Sequence, residues 1–278
     1  MILIGKFRDI KNKLYTLTIN NNNGIDGMIE IGDKGLHFAG SPVTIESNVD
    51  DSFTHIIRKN ATINLVTDKY IGDKLFANNS RNISVRIDDD SKTVFQGYVE
   101  PTTFNQPFVH SIDEFSINCT DALSTLQYYN YKKTTVKNYN ELKQTTGIVS
   151  FKQILDGIFQ QLGGNIYYDL SKATKKGKEK TVFEDLSISE AYLFGDDFDD
   201  IWTEEEVLEQ ILQYLNLHII QEGNNYYIFD WESIRKKNNQ WYCINDGSIQ
   251  TINPQTIDIT SSMYSSNDTS ITISDVYN

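Results

Sequence analysis

The chain has 278 residues, 39% of them hydrophobic and 12% aromatic, which excludes an intrinsically disordered chain and allows one large domain or two. Its 38 acidic residues outnumber its 25 Lys and Arg residues, and the resulting net charge of −13 argues against a protein that grips the phosphates of DNA or RNA. The two cysteines, Cys119 and Cys243, lack the spacing of a zinc site, so we expect two buried free thiols, with a single disulfide as the alternative.

The N-terminus, from Met1 to Ile4, is apolar for only four residues and lacks the apolar core and cleavage site of a signal peptide. Elsewhere no apolar run approaches the roughly 18 residues that a membrane-spanning helix needs. We therefore expect a protein that is made and folded in a cytoplasm and does not insert into a membrane.

Residues 1–130 are predicted to form a β-rich barrel or sandwich domain. Alternation of apolar and polar side chains, together with Asn-, Asp- and Gly-rich turn signals, indicates strands separated by short loops. The predicted strands are Leu14–Ile19 (closed by a turn at 20–24), Thr62–Val66, Ile83–Ile87, Thr93–Val99 and Phe115–Cys119. The segments Ile83–Ile87 and Thr93–Val99 flank a loop at 88–92, which predicts a hairpin, and Asp121 is placed to cap a short helix that carries Leu123 and Leu126.

Residues 131–260 are predicted to form an α+β domain. Apolar residues recur at helical spacing from Phe151 to Leu162, and Gly163-Gly164 ends that helix before a strand at 166–168. A polar, Lys-rich loop is predicted over 172–180. A second helix begins at Thr203, which forms a Thr-x-x-Glu capping box with Glu206. Its predicted buried stripe is Val207, Leu208, Ile211, Leu212 and Leu215, and a hairpin of strands at 218–220 and 226–229 follows.

The two helical units align with one constant offset of 53 residues, and each is followed by a strand that obeys the same offset. We interpret this as a duplicated helix–strand unit within one domain. The matching pairs are Ile154/Val207, Leu155/Leu208, Ile158/Ile211, Phe159/Leu212, Leu162/Leu215 and Ile166/Ile219. The Ser-, Thr- and Asn-rich tail, residues 261–278, is expected to be ordered by partners.

Motifs of catalysis or phosphate binding are absent: the sequence has no GxGxxG, GxxxxGK[ST], GxSxG or HExxH. The four histidines stand alone in sequence, and His218 is predicted to be structural. The best metal candidate is the group Asp196, Asp197, Asp199 and Asp200, but a solvated acidic loop is favoured because the calcium-loop pattern fails at Ile201 and Trp202. Asp88, Asp89 and Asp90 are interpreted as a hairpin loop. We therefore predict no catalytic residue, no metal and no cofactor.

Several motifs together resemble a known family. The chain contains F-x-G-Y-V-x-P at 95–101, then Thr120 to Leu126, the two helices with I-L-x-x-I-F-x-x-L-G and V-L-x-x-I-L-x-x-L, and a G-x-x-Y-x-I hairpin at 223–228. This order is similar to that of tail and baseplate hub proteins from phages and prophages of Bacteroides-type gut bacteria. The resemblance implies a virion component with tail-tube-like β-barrel domains that associate into rings. Its matching residues, Gly97 and Pro101 among them, are fold residues, so no catalytic role is implied.

The leading hypothesis is thus a non-enzymatic phage tail hub or adaptor that forms a homo-oligomeric ring around the DNA channel and contacts other tail or portal-side proteins. DNA would be passing cargo, because an acidic channel wall would not retain it. A first alternative is a carbohydrate-binding adhesin, which predicts exposed Trp or Tyr rings in a concave groove. A second is a hydrolase that uses acidic residues between Asp196 and Glu206.

Overall fold

The structure of the protein is a computed structural model that describes residues 2–9, 11–22, 27–32, 35–48, 54–75, 77–101, 112–131, 147–169, 181–193 and 201–252. These residues are mostly in β-strands, and a few helices pack on them. The expected class, α+β and mostly β, is confirmed. Among the described helices, none is long and apolar enough to cross a membrane.

The N-terminal strands form a barrel-like sheet. They run in the spatial order β3-β1-β2-β6-β7-β8-β5-β4, antiparallel throughout except for the parallel pair of β1 and β3. The two ends of this path lie close together, because Gly32 N donates a 2.7 Å hydrogen bond to Leu36 O, which places the end of β3 beside the start of β4. The strands are β1 (Ile2–Arg8), β2 (Leu14–Asn21), β3 (Met28–Ile31), β4 (Leu36–Asn48), β5 (Ile56–Thr67), β6 (Ile83–Asp89), β7 (Thr93–Val99) and β8 (Asp113–Asp121).

The barrel core lies inside this rolled sheet. Alternate residues of each strand point inward, since successive side chains of a strand face opposite sides of the sheet. A one-turn helix, α1 (Gly72–Leu75), adds Leu75 to the core. Other members are Leu3, Leu17, Ile19, Ile63, Leu65, Ile83, Val85, Ile87, Phe95, Phe115 and Ile117.

The C-terminal part combines a smaller sheet with helices. Its strands are ordered β15-β14-β10-β13-β12, and a separate two-stranded ribbon pairs β9 with β11. The strands are β9 (Ile148–Ser150), β10 (Asn165–Asp169), β11 (Ser187–Ser189), β12 (His218–Glu222), β13 (Asn225–Phe229), β14 (Gln240–Cys243) and β15 (Ile249–Thr251). The helices are α2 (Phe151–Gln160), α3 (Val182–Asp185), α4 (Glu204–Leu215) and α5 (Trp231–Arg235), with 3-10 turns at Leu123–Tyr128 and Glu190–Leu193.

Strand β5 belongs to both parts. Its residues 60–67 pair with β8 in the barrel, whereas Ile56 and Ile57 pair in parallel with Ile219 and Ile220 of β12. One sheet therefore runs from the barrel into the C-terminal part. The division into domains at residue 130 stays a prediction. One core lies within the barrel, whereas the other combines residues beyond 130 with Ile56, Leu123 and Leu126 from before it.

The C-terminal sheet has two buried faces. One face packs against α2 and α4 in what we call the helix-side core, which includes Ile154, Leu155, Ile158, Ile166, Tyr168, Leu208, Leu212, Ile219 and Ile228. The other face forms the rear cluster, which comprises Ile57, Tyr167, Ile220, Tyr227, Phe229, Trp241 and Cys243, with Trp231, Ile234 and Ile252 packed against it. Neighbouring strand residues such as Tyr167 and Tyr168 thus serve opposite faces, as the period of two requires.

The duplicated unit is visible in local geometry beyond the apolar stripe. Ser150 caps α2 through a capping box with Gln153, and Thr203 caps α4 in the same way with Glu206, 53 residues later. Helix α2 is followed by Gly163 at φ 70°, and α4 by Asn216 at φ 51° in the equivalent position. β10 and β12 then flank β13 on its two sides. The two units therefore share their start, their stripe, their left-handed end and their exit strand.

Most predicted elements are present, with adjusted bounds. The helix expected after Asp121 is a 3-10 helix, and Asp121 itself ends β8 while its Oδ1 accepts a 2.9 Å hydrogen bond from Ser124 N. The predicted stripe of α4 is buried, apart from the half-buried Leu215. Both cysteines are buried free thiols, as expected. The loop over 172–180 and the tail 261–278 lie outside the described residues.

Candidate functional site

An apolar pocket of about 360 Å³ lies between α2, α4 and the β9–β11 ribbon. Its walls are aliphatic and aromatic side chains, and the polar side chains among its lining residues are few. The apolar walls include Phe151, Ile154, Ile188, Leu193, Val207 and Ile211. A volume of this size is in the range of ligand- and side-chain-binding pockets, which are typically a few hundred cubic ångströms and mostly apolar.

Local sequence signals fix the two helices that form the walls. Each helix begins at a reciprocal capping box, which satisfies two of the backbone N–H groups that a helix start leaves without a partner. Three glutamates in the first turn of α4, residues 204–206, also favour the positive end of the helix dipole. The pocket therefore sits on rigid elements.

Backbone hydrogen bonds hold the remaining wall, which contains Trp202. The carbonyl oxygen of Trp202 accepts a 2.8 Å hydrogen bond from Tyr131 N, and the backbone N–H of Trp202 donates to Leu193 O at 3.3 Å. On the other side, Phe151 N donates to Leu186 O at 3.0 Å and ties the start of α2 to the ribbon. Trp202 is thus fixed at a concave surface.

Three large apolar side chains stand in solvent beside the pocket. Tyr192, Tyr214 and Ile148 are 73%, 72% and 74% exposed. Tyr214 leans edge-on against Phe151 of the pocket wall, with ring centroids 6.1 Å apart. Aromatic residues around a buried apolar centre are enriched in protein interfaces, since they supply large contact area at little entropic cost.

Ion pairs fasten α4 to the barrel. The Arg81 guanidinium lies 3.5 Å from Glu204 and 3.8 Å from the centroid of the Tyr129 ring, while Arg58 pairs with Glu205. Burial raises the pKa of Glu205, and the neighbouring Arg58 opposes that shift. The glutamates that the sequence assigns to the helix dipole therefore also bind arginines that are more than a hundred residues away.

The acidic residues considered as metal ligands or as hydrolase groups lie in two segments, residues 196–200 and the start of α4. Asp196, Asp197, Asp199 and Asp200 lie outside the described residues. Within the described part of the chain, His, Cys, Asp and Glu side chains form no group of three or more that could hold a metal ion. Glu204, Glu205 and Glu206 are engaged by Arg81, by Arg58 and by the helix cap, so the hydrolase hypothesis gains no facing carboxylate pair from α4.

The loop interpretation of Asp88, Asp89 and Asp90 is wrong for the first two, which end strand β6, and only Asp90 lies in the hairpin loop itself. Asp89 Oδ1 accepts hydrogen bonds from the N–H groups of Ser91 and Lys92, and its Oδ2 lies 2.7 Å from Lys13 Nζ. Burial alone would raise the pKa of Asp89, but Lys13 and the turn donors outweigh it and hold that pKa well below its usual range. The carboxylate is thus used to shape the turn.

Two of the four histidines, although isolated in the sequence, lie together in the structure. His55 and His218 stack with ring centroids 5.3 Å apart, although 163 positions separate them in the sequence. His218 has the structural role predicted for it, since its Nδ1 lies 2.8 Å from Thr54 O. His110 lies outside the described residues. No local sequence signal could have found this pair, because β5 and β12 bring it together.

The chain matches no protein-family model and no curated protein sequence. Among solved structures, it overlaps with the 43 kDa tail protein of prophage MuSo2 from Shewanella oneidensis, at 13% identity and a TM-score of 0.42, over 70% of this chain and 52% of that one. It also overlaps with a tail protein from Neisseria meningitidis MC58, at 12% identity and a TM-score of 0.40, over 77% of this chain and 50% of that one. The chain thus spans about half the length of each protein.

Proposed function

We propose that the chain is a structural subunit of a bacteriophage tail, a hub or adaptor that assembles with copies of itself into a ring around the DNA channel and joins neighbouring tail proteins. The observation that carries the proposal is the aromatic-rimmed pocket. Its apolar cavity lies between two capped helices, of which ion pairs fasten α4 to the barrel, and the tyrosines at its rim are exposed. A rigid apolar concavity with an aromatic rim is what a protein interface needs for its central anchors.

The motif that carries the family resemblance supports the proposal as well. In the F-x-G-Y-V-x-P segment, Gly97 of β7 faces the point where β8 ends, and a Cβ there would overlap the carbonyl oxygen of Thr120. A glycine is therefore needed for β7 and β8 to approach this closely. The motif residues act through the fold, which is consistent with a structural rather than a catalytic role.

The charge of the chain fits a channel function. A subunit with a net charge of −13 would give a ring of many subunits a strongly negative field, which repels the phosphates of a passing genome. DNA would then slide through the ring without being retained. A charge map of the assembled ring tests this, and a bore lined by lysines would contradict it.

The location of the protein is tested on virions. An antibody against the purified chain, with gold labels, should decorate one fixed level of the tail in particles released from the bacterium that encodes the protein. Label found only in cell extracts, with unlabelled tails, would contradict the proposal. The same particles treated with pre-immune antibody serve as the control for nonspecific label.

A saccharide-binding module is the second candidate. The pocket is concave, and Trp202, Tyr192 and Tyr214 line it, which is the arrangement that the adhesin hypothesis predicts. Gln210 and Ser187 add polar side chains to the lining. Binding of the wild-type chain to a glycan array, lost in Tyr214→Ala, would favour this candidate over assembly.

A further inference from the structure

The pocket is incomplete in the subunit as described. Its rim leaves Tyr192 and Tyr214 mostly in water, Ile148 on the adjoining strand β9 is exposed as well, and its cavity is open. Large apolar side chains gathered in this way mark a surface that another group covers, because their burial releases free energy in proportion to the area removed from water. The few polar lining groups mean that the side chains that enter the cavity are mainly apolar.

A segment of the same chain has the matching chemistry. The described residues end at Ile252, and 26 residues follow, from 253 to 278. This segment has no Lys or Arg, and it carries apolar and aromatic side chains in short clusters, namely Met263 with Tyr264, Ile271 with Ile273, and Val276 with Tyr277. Side chains of this size fill apolar pockets between helices, as the anchors of a docked peptide do.

The starting point of the segment favours a pocket on another copy. Ile252 packs against the rear cluster, on the face of the C-terminal sheet opposite to the helices that form the pocket. β15, which precedes it, is the outermost strand of the sheet order. The segment can extend to about 86 Å at about 3.3 Å per residue, so a neighbouring subunit is within reach. The pocket of the same subunit, by contrast, lies on the opposite face of the C-terminal sheet.

We propose that residues 253–278 of one subunit dock into the aromatic-rimmed pocket of the next subunit, with their apolar side chains against Tyr214, Tyr192 and Trp202. This inference rests on the proposed ring assembly and names the contact that holds it together. The arrangement is head-to-tail: each copy gives one segment and offers one pocket. Such a heterologous contact closes into a ring when the rotation between subunits allows it.

The test is photo-crosslinking in the full-length chain. A p-benzoylphenylalanine residue replaces Tyr214, and a matched control carries it at Tyr70, another exposed tyrosine that is not among the lining residues of the pocket. Copies that carry the probe are mixed with ¹⁵N-labelled wild-type copies and irradiated, and the crosslinked peptides are identified by mass spectrometry. The expected result is a crosslink from position 214 to a ¹⁵N-labelled peptide within 253–278, and none of this kind from position 70.

Three results would overturn the inference: crosslinks confined to the same copy, crosslinks from position 214 to a different segment, or no crosslink from that position. The assembly state of the same sample separates this failure from a failure of the proposed function. If rings form while position 214 does not crosslink to the segment, only the docking contact is wrong. If the wild-type chain is monomeric under all conditions, both the ring and the contact are contradicted.

Discussion

His55 and His218 each hydrogen-bond through Nδ1 to the backbone carbonyl of the residue that precedes the other. His55 Nδ1 lies 2.8 Å from Leu217 O, and His218 Nδ1 lies 2.8 Å from Thr54 O. Because a carbonyl oxygen can only accept, both Nδ1 atoms carry a proton. The stacked rings therefore lock the start of β5 to the start of β12, next to the parallel pairing that joins the barrel to the C-terminal sheet.

The first prediction is that the free energy of unfolding decreases as the pH is lowered below about 6.5, the ordinary pKa of histidine. Burial lowers the pKa of His218, and the nearby His55 lowers it further, against Thr54 O and Asp230, which raise it. The unfolded state therefore binds a proton on this ring at a higher pH than the folded state does. The stabilising contribution of the neutral His218 ring is fully present above about pH 6.5. It is lost as the pH falls toward the lowered pKa of His218 in the folded state.

Urea unfolding of wild type and His218→Gln between pH 5 and pH 8 checks this. The wild type should lose stability on acidification, and the variant, which cannot take up the proton, should lose less over the same range. His37→Gln is the control, because His37 is exposed on β4. An equal pH dependence in wild type and His218→Gln would contradict the lowered pKa of His218.

The second prediction concerns the core of α4. Leu212 is fully buried in the helix-side core, so Leu212→Ala should lower the free energy of unfolding by about 2–5 kcal/mol, as large-to-small core substitutions do. Gln213→Ala, at the exposed neighbouring position, should change it by less than about 0.5 kcal/mol. Chemical denaturation measures both. Destabilisation below about 1 kcal/mol for Leu212→Ala, or a loss of assembly without destabilisation, would mean that this stripe is an interface.

The third prediction pairs two glycines with opposite outcomes. A Cβ on Gly97 would overlap the backbone of Thr120, so Gly97→Ala should destabilise the protein by about 1–3 kcal/mol or more. Gly157 lies in α2 with open space around its Cβ position, and Gly157→Ala should stabilise the protein by about 0.4–1 kcal/mol. Thermal melts of the two variants against wild type decide the matter, and shifts of the same sign would refute the steric argument.

The fourth prediction follows from the repeated caps. Ser150→Ala and Thr203→Ala should each cost about 0.5–2 kcal/mol, because each removes the acceptor for the N–H three residues later. Replacement by Asp, which caps equally well, should retain most of the stability. Denaturation curves for the four variants test this. An alanine variant as stable as wild type at either position would show that the cap at that position does not stabilise the protein.

Local signals explain what the sequence could predict. The β6–β7 hairpin follows from alternating side chains around an Asp-rich turn, and the start of α4 follows from the Thr203–Glu206 box, so both lie close to their predicted places. The 53-residue offset also predicted two equivalent helix–strand units. Each of these features depends on residues that are near one another in the chain, where propensity and periodicity act directly.

Contacts between segments that are distant in the sequence could not be predicted from it. Ile56 pairs with Ile219 in β12 only because the barrel and the C-terminal sheet share β5, and no periodicity in either segment specifies that partner. The pocket depends on the three-residue strands β9 and β11, which are too short to give a pattern. His55 and His218 became a pair in the same way, through tertiary packing that overrides local preference.

Sedimentation velocity of the full-length chain over a range of concentrations, with electron microscopy of the largest species, tests the central claim most directly. The account predicts closed rings for wild type, and a shift toward monomer for Tyr192→Ala combined with Tyr214→Ala, with the melting temperature retained because both side chains are exposed. Tyr70→Ala, the matched control, should form rings as wild type does. A wild-type chain that stays monomeric at every concentration, or rings that the double variant forms equally well, would contradict the claim that this chain assembles through its aromatic-rimmed pocket.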